Sequence, residues 1–306
     1  MQHPAIKAAG FTGSRTAGLA LWKVAQNRPE PIPFYAEMSS VNPVFVLPRA
    51  LRERRDQLAK GLYGSFTLGA GQFCTKPGLV FVEQGSDTDR LAADIAAQVG
   101  SSNNFTLLTK AIHSSYRSGV QDRTRTISRS KCGPAAAGSG LQASAAVFES
   151  DAEAFLADPS LGEELFGPAS LIVRYSDRQQ LLRVAETMEG QLTATVHATN
   201  DDLTDYQDLI TILEKKVGRI IVNGYPTGVE VGHAMVHGGP FPSTSDSRTT
   251  SVGTRAIFRF ARPVCYQNFP NESLPPELQD ANPLGIWRMI DGKLTREPVR
   301  QPVASR

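Results

Sequence analysis

Residues 170–222 read SLIVRYSDRQQLLRVAETMEGQLTATVHATNDDLTDYQDLITILEKKVGRIIV. An apolar run at 170–175 precedes a helix-length segment at 178–189 that Gly190 stops. A second run at 192–197, a second helical segment at 203–216 and a third run at 219–222 follow. Short apolar runs separated by helical segments make a parallel sheet, because parallel neighbours need a crossover of about a dozen residues or more. The passage predicts an α/β protein with a partly parallel sheet.

The alternation extends upstream. Residues 49–66 set Leu51, Leu58 and Leu62 at spacings of seven and four, the stripe of an amphipathic helix, and 79–82 read as a short strand. Ser86 is positioned to cap a helix running to residue 99, 105–116 read as another helix, and 144–148 as a strand. Residues 6–12, 15–26 and 32–37 form one strand-helix-strand unit with Glu37 at its carboxyl end, where open α/β sheets carry their ligand groups. One such unit cannot close a parallel sheet. The sequence therefore predicts that residues 1–38 are a remnant of a larger Rossmann-like domain with further strands upstream, and that 39–260 form a second α/β domain. Residues 224–254 make a loop long enough to be functional. In the 261–306 tail, 262–269 read as an edge strand, and Asp291-Gly292 as the turn of a hairpin between 286–290 and 293–295.

Lys plus Arg number 32 against 30 Asp plus Glu, which leaves no basic excess for a nucleic acid partner. Cys74, Cys132 and Cys265 are too few for a disulfide framework and lack zinc-ligand spacing, which points to a reducing cytoplasm and to no bound metal. No apolar run reaches the roughly 18 residues of a membrane span.

Cys74 stands apart from the other two thiols. It follows Gly69-Ala70-Gly71-Gln72-Phe73, where glycines keep the backbone close and the sulfur accessible. Taken singly, the other features have plain readings: Glu37 as a strand-end surface acid, Gly13-Ser14 as a turn, Glu164 as a loop acid and Phe166 as a core aromatic. His233 and His237 open a cysteine-histidine hydrolase reading with a histidine as base. Cys132, Cys265 and the arginines of 123–129 read as structural or solvated.

Order changes those readings. Phe11-Thr12-Gly13-Ser14, then Glu37-Met38-Ser39-Ser40-Val41-Asn42-Pro43, Gly71-Gln72-Phe73-Cys74 and Glu163-Glu164-Leu165-Phe166-Gly167-Pro168 occur in one sequence order. Together they resemble the aldehyde dehydrogenase superfamily over nearly the whole chain. The wording of 223–231, His237-Gly238-Gly239-Pro240 and Thr250-Ser251-Val252-Gly253 is most similar to its α-ketoglutarate semialdehyde dehydrogenase branch. Met38-Ser39-Ser40 departs from the leucine-glycine-glycine of most members, a variant that this branch shares.

The resemblance implies NAD(P)-dependent oxidation of an aldehyde to the acid. Cys74 is then the nucleophile, passing through a thiohemiacetal and a thioester, and Glu37 the base that activates the hydrolytic water, with a carboxyl raised toward neutrality. The backbone N–H of Cys74 and an asparagine upstream of residue 1 would hold the oxyanion. Gly13 and Ser14 match the positions that approach the cofactor pyrophosphate, Glu164 the carboxylate on the nicotinamide ribose, and Phe166 the ring beside it. The adenosine-binding strands and the choice between NAD and NADP have no counterpart here, so hydride transfer by this chain alone is expected to be weak or absent. The resemblance also implies homo-oligomers formed through the strand at 262–269. Two other function classes stay open: a cofactor-independent thiol esterase or acyl transferase, and a non-catalytic fragment.

Overall fold

The computed structural model describes residues 1–134 and 140–299 and divides the chain into two compact units, Met1–Phe260 and Ala261–Arg306. The first unit opens with β1 (Ala9–Thr12), α1 (Arg15–Gln26) and β2 (Phe34–Glu37), with β1 and β2 paired in parallel. Ser14 caps α1, its hydroxyl accepting from the Ala17 N–H at 3.3 Å. Gly18 lets α1 lie on β2, since a Cβ there would stand 2.7 Å from the Met38 side chain.

The remaining elements follow in alternation. They are β3 (Val44–Val46), α2 (Pro48–Thr67), β4 (Leu79–Glu83), α3 (Ser86–Gly100), β5 (Phe105–Thr106), α4 (Lys110–Thr126), β6 (Arg129–Cys132), β7 (Gln142–Ala143), β8 (Ala146–Asp151) and α5 (Ala152–Ala157). Then come β9 (Ala169–Tyr175), α6 (Arg178–Thr187), β10 (Gln191–His197), α7 (Asn200–Asp205), α8 (Gln207–Glu214) and β11 (Val217–Val222). Seven strands form one sheet in the order β11-β10-β3-β4-β9-β8-β6, parallel throughout except for the antiparallel edge strand β6.

Both faces of this sheet are covered, which is why its strands are near-continuous apolar runs. Val44, Val46, Val80 and Val82 meet Leu58, Leu62 and Phe66 of α2 and Leu91 and Ile95 of α3 on one side. Phe45, Phe81, Leu171 and Val173 meet Phe155 of α5, Leu181 of α6 and Leu209 of α8 on the other. Each such side chain, taken fully out of water, contributes about 1.5–3 kcal/mol. Asp202 is fully buried at the N-terminus of α7, where its carboxylate accepts from the N–H groups of Ala50 (2.9 Å) and Thr199 (3.0 Å) and so fastens α7 to the start of α2.

Several expected elements differ. The helix read at 105–116 begins at Lys110, because the Thr109 hydroxyl accepts from Ile112 N–H at 3.2 Å; Phe105–Thr106 pair antiparallel with β7 instead. Gly85, not Ser86, is the N-cap of α3. The helix read at 203–216 starts earlier, at a Thr199–Asp202 capping box, and breaks at Tyr206.

In the second unit, 262–269 form no strand. The hairpin is present as β12 (Arg288–Ile290) and β13 (Lys293–Thr295), and its turn residues Asp291 and Gly292 both take positive φ, 50° and 78°, as a two-residue I′ turn requires. Among the described residues no helix is long and apolar enough to cross a membrane.

Candidate active site

The Cys74 loop is built by a backbone that only small residues allow. After α2 the chain takes three consecutive left-handed conformations, at Gly69 (φ 57°), Ala70 (φ 60°) and Gly71 (φ 65°). A Cβ on Gly71 would lie 2.2 Å from the Gly167 carbonyl oxygen, so the Gly71-Gln72-Phe73-Cys74 and Phe166-Gly167-Pro168 motifs meet backbone to backbone. Asn42 holds the loop from beneath. Its Nδ2 donates to the carbonyls of Cys74 (2.8 Å) and Lys76 (3.1 Å), while its Oδ1 accepts from Thr193 Oγ1 at 3.1 Å on β10. Lys76, fully buried, donates from Nζ to the carbonyls of Leu165 and Ala169, each at 3.0 Å. It thereby ties the Cys74 loop to the segment carrying Glu164 and Phe166.

Glu37 reaches the same place from the end of β2. Its carbonyl accepts from the Gly13 N–H at 3.1 Å, and its backbone bridges Thr244, so the segment 243–245 lies along β2 and brings the loop before it over the site. That loop carries His237. Its Nε2 lies 3.2 Å from Glu37 Oε1 and 3.4 Å from Cys74 Sγ, and Ser251 Oγ donates to Glu37 Oε2 at 2.6 Å. Ligand atoms of Glu37, Cys74 and His237 all lie within 4.8 Å of one another, a spacing that would also suit a metal ion, yet in this structure the three groups bond to each other. Glu37 and His237 are buried, and Cys74 is partly exposed beside the exposed ring of Phe73.

Electrostatics sets the resting protonation. Burial pushes the Cys74 thiol up, and the charge and hydrogen bond of Glu37 push it further, to about 12. Burial also pushes the Glu37 carboxyl up, but the hydrogen bond and charge of His237 and the hydrogen bonds of Ser251 and Cys74 outweigh it, leaving the carboxyl below its ordinary value. The expected rise of Glu37 toward neutrality is therefore reversed. The resting site is a neutral thiol beside an ionised carboxylate, an acceptor already in place for the thiol proton.

Ser14 and Glu164 line a separate 540 Å³ cleft with Arg15, Ser39, Ser40 and Gln191. Burial raises the Glu164 carboxyl against the opposing charge of Lys76 and a hydrogen bond from Ser39. Gly13 and Phe166 do not line this cleft; Gly13 instead holds the Glu37 carbonyl, and Phe166 sits half-buried between Glu164 and the Gly167 contact.

The geometry can be set beside known proteins. The aldehyde dehydrogenase family model matches residues 1–257. The chain belongs to the aldehyde dehydrogenase family. It is 51% identical over 294 residues to alpha-ketoglutaric semialdehyde dehydrogenase 2 of Azospirillum brasilense, covering 96% of this chain and 56% of that protein. It is 46% identical to alpha-ketoglutaric semialdehyde dehydrogenase of Acinetobacter baylyi, covering 97% and 57% respectively. The chain thus spans little more than half the length of these curated relatives. Among solved structures, an aldehyde dehydrogenase from Bacillus cereus superposes with a TM-score of 0.70 at 19% identity, over 85% of this chain and 51% of that one. Proline utilization A from Bdellovibrio bacteriovorus gives 0.73 at 21% identity, over 87% and 28%. At that identity the likeness is one of fold.

Aldehyde dehydrogenases generally use NAD or NADP, and the residues of the Ser14–Glu164 cleft fit part of such a cofactor. Its volume is that of a ligand pocket, it opens at the N-terminus of the twelve-residue helix α1, and it holds a carboxylate able to accept from ribose hydroxyls.

The sequence alone supports only a minor reading for His237 and no separate role for Asn42. His237 is 163 residues from Cys74 along the chain, and only the loop's return along β2 reveals the contact. For Asn42 a signal existed: Asn-Pro at a strand start, with a left-handed φ of 47°, is a conformation that asparagine tolerates better than other side chains.

Proposed function

We propose that this chain carries the thiol chemistry of an NAD(P)-dependent oxidation of an aldehyde to its acid, with a semialdehyde such as α-ketoglutarate semialdehyde as the substrate. The observation that carries this reading is the meeting of the Cys74 thiol with the Glu37 carboxylate, on loops whose order along the chain is that of the family. In this reading Glu37 takes the thiol proton as Cys74 Sγ bonds to the carbonyl carbon, giving a thiohemiacetal. A bound cofactor would supply the hydride acceptor that oxidation of this adduct to a thioester needs. Ser14, at the head of α1, and Glu164 would hold it in their cleft, with Gly13 and Phe166 shaping the approaches.

After passing that first proton to solvent, Glu37 draws a proton from water as the water attacks the thioester; the carbon–sulfur bond then breaks to release the acid, and the departing sulfur takes the proton back from Glu37 as the thiol. His237 and Ser251 keep Glu37 ionised and oriented for both transfers. Residues 1–38 contribute the cofactor side, 39–260 the catalytic side and 261–306 a tail for self-association, in a protein that works in the cytoplasm.

A second reading, cofactor-independent acyl transfer through Cys74, draws support from the Cys74–His237–Glu37 contact, which gives the thiol a histidine neighbour as well as a carboxylate. Formation of reduced cofactor from a semialdehyde, abolished by Cys74→Ser, tests the first reading. Turnover of p-nitrophenyl acetate with no aldehyde-dependent reduction of NAD or NADP would favour the second.

A further inference from the structure

Among the described residues, Arg219 is a cation with no anion. It lies on β11, and its Cα pairs with Thr193 of β10. The same register pairs Thr195 with both Ile221 and Val44, so Arg219 shares the sheet face that α2 covers. Thr193 is the residue that bonds Asn42, and Asn42 in turn holds the Cys74 carbonyl. Arg219 therefore lies on the cysteine side of β11, one side chain away from the support of the nucleophile loop.

What surrounds the guanidinium is equally specific. Nη2 donates to the carbonyls of Pro226 (2.9 Å) and Gly228 (3.3 Å), and Nη1 to Gly228 (3.2 Å). The 225–228 loop that presents these carbonyls is itself fastened to α2, through Tyr225 OH to the Leu58 carbonyl at 3.4 Å and through contact of Thr227 Oγ1 with Ser65 Oγ. Nε is buried and has no acceptor, and among the described residues no carboxylate lies within ion-pair distance of Arg219. Burial pulls the guanidinium below its ordinary value, and the one opposing cause is the charge Cys74 carries once it is ionised. A half-buried guanidinium held by carbonyls alone, with an unmet donor, is costly unless something negative arrives.

We propose that Arg219 is the anion-recognition residue of the Cys74 site, binding a carboxylate at the end of the substrate remote from its aldehyde. A planar guanidinium fixed by two carbonyls is pre-organised for carboxylate oxygens, and the pairing selects ω-oxo acids over neutral aldehydes of the same length. The assignment rests on Cys74 being the group that receives the substrate, and its test separates the two claims.

The rates at which iodoacetate and iodoacetamide alkylate Cys74 are measured on the full chain, following the Cys74 peptide by mass spectrometry. The two reagents differ in charge but deliver the same type of group, so their rate ratio cancels any change in thiol acidity. The proposal expects glutarate to protect Cys74 in the native protein. It also expects the iodoacetate-to-iodoacetamide ratio to fall about tenfold or more in Arg219→Gln and to be partly kept in Arg219→Lys. A ratio unchanged in Arg219→Gln, or no protection by glutarate, overturns it. If the glutamine variant does not fold, the lysine variant and the glutarate arm still decide. Anion preference at Cys74 with no aldehyde oxidation would leave Arg219 assigned and sink the dehydrogenase reading; aldehyde oxidation blind to the substrate's charge would do the reverse.

Discussion

Replacing Glu37 by Gln keeps the size of the side chain and removes its charge, which isolates what that charge does to Cys74. The thiol stands at about 12 against an ordinary 9.0, with burial as the largest cause and Glu37 next. Two unit charges about 4 Å apart at an effective dielectric constant of about 20 interact by about 4 kcal/mol, which caps the carboxylate's share near three pKa units. Burial is the largest single cause and Glu37 acts through both its charge and its hydrogen bond, so a screened interaction of about 1.4 kcal/mol, well inside that cap, gives about tenfold in thiolate at a fixed pH below the inflection. Iodoacetamide reacts with thiolate alone. Its second-order rate with Cys74 at pH 8 should rise about tenfold in Glu37→Gln, and the inflection of the rate-pH curve should move down by about one unit. The same variant should lose hydrolysis of a thioester formed on Cys74. A rate that is unchanged or slower, or a native inflection already near 9, would refute the placing of a buried carboxylate beside this sulfur.

Three further outcomes are expected. Removing the His237 donor in His237→Ala should raise the Glu37 carboxyl toward its ordinary value, so the acid limb of p-nitrophenyl acetate turnover, which needs Glu37 ionised, should shift to higher pH; a shift to lower pH would be inconsistent with the contact. Stability should respond to pH on both flanks: the depressed Glu37 contributes stability above its unfolded value of 4.5 that is lost as pH falls through the folded one, and the raised Cys74 contributes stability below 9.0 that is lost as pH rises toward about 12. Melting temperatures of native protein, Glu37→Gln and Cys74→Ser across pH 3–11 read both, and identical curves for all three would contradict it. Gly71→Ala, forced to a φ of 65° with its Cβ 2.2 Å from the Gly167 carbonyl oxygen, should cost about 2–4 kcal/mol by chemical denaturation and slow Cys74 alkylation more than Gly64→Ala, where the added Cβ meets nothing within 4 Å.

Much of the fold was legible because parallel strands buried on both faces leave long apolar runs. The runs at 170–175, 192–197 and 219–222 became β9, β10 and β11 with shifts of a few residues at their ends. Val44–Val46 escaped notice although it lies inside the sheet between β10 and β4, since three residues following Asn-Pro are too few to show a period. Strand β6 has four exposed residues and no apolar alternation, and antiparallel pairing with β8 alone makes it a strand. The helix read at 105–116 starts at Lys110, four residues beyond the end of the β5–β7 ladder and just after the Thr109 cap.

The site was legible in parts for a related reason. Cys74 announces itself through glycines whose backbone geometry is local, and Glu37 through its position at a strand end. The His237 contact, the Asn42 support and the unpaired Arg219 arise from pairings between segments about 30 to 200 residues apart, which leave no mark within either segment alone. The sign of the Glu37 shift was missed on the same ground: burial was foreseeable from the strand, whereas the groups that outweigh it are Cys74 and two side chains of the 237–251 loop.

The central claim, that Cys74 takes the aldehyde and Glu37 completes the turnover, is tested most directly by the mass of the Cys74 peptide after acid quench of Glu37→Gln incubated with NAD or NADP and α-ketoglutarate semialdehyde. The account predicts an acyl adduct on Cys74 that accumulates in this variant and is scarce in the native protein at the same time point. An unmodified Cys74 beside reduced cofactor, or an acyl group on another residue, would contradict it.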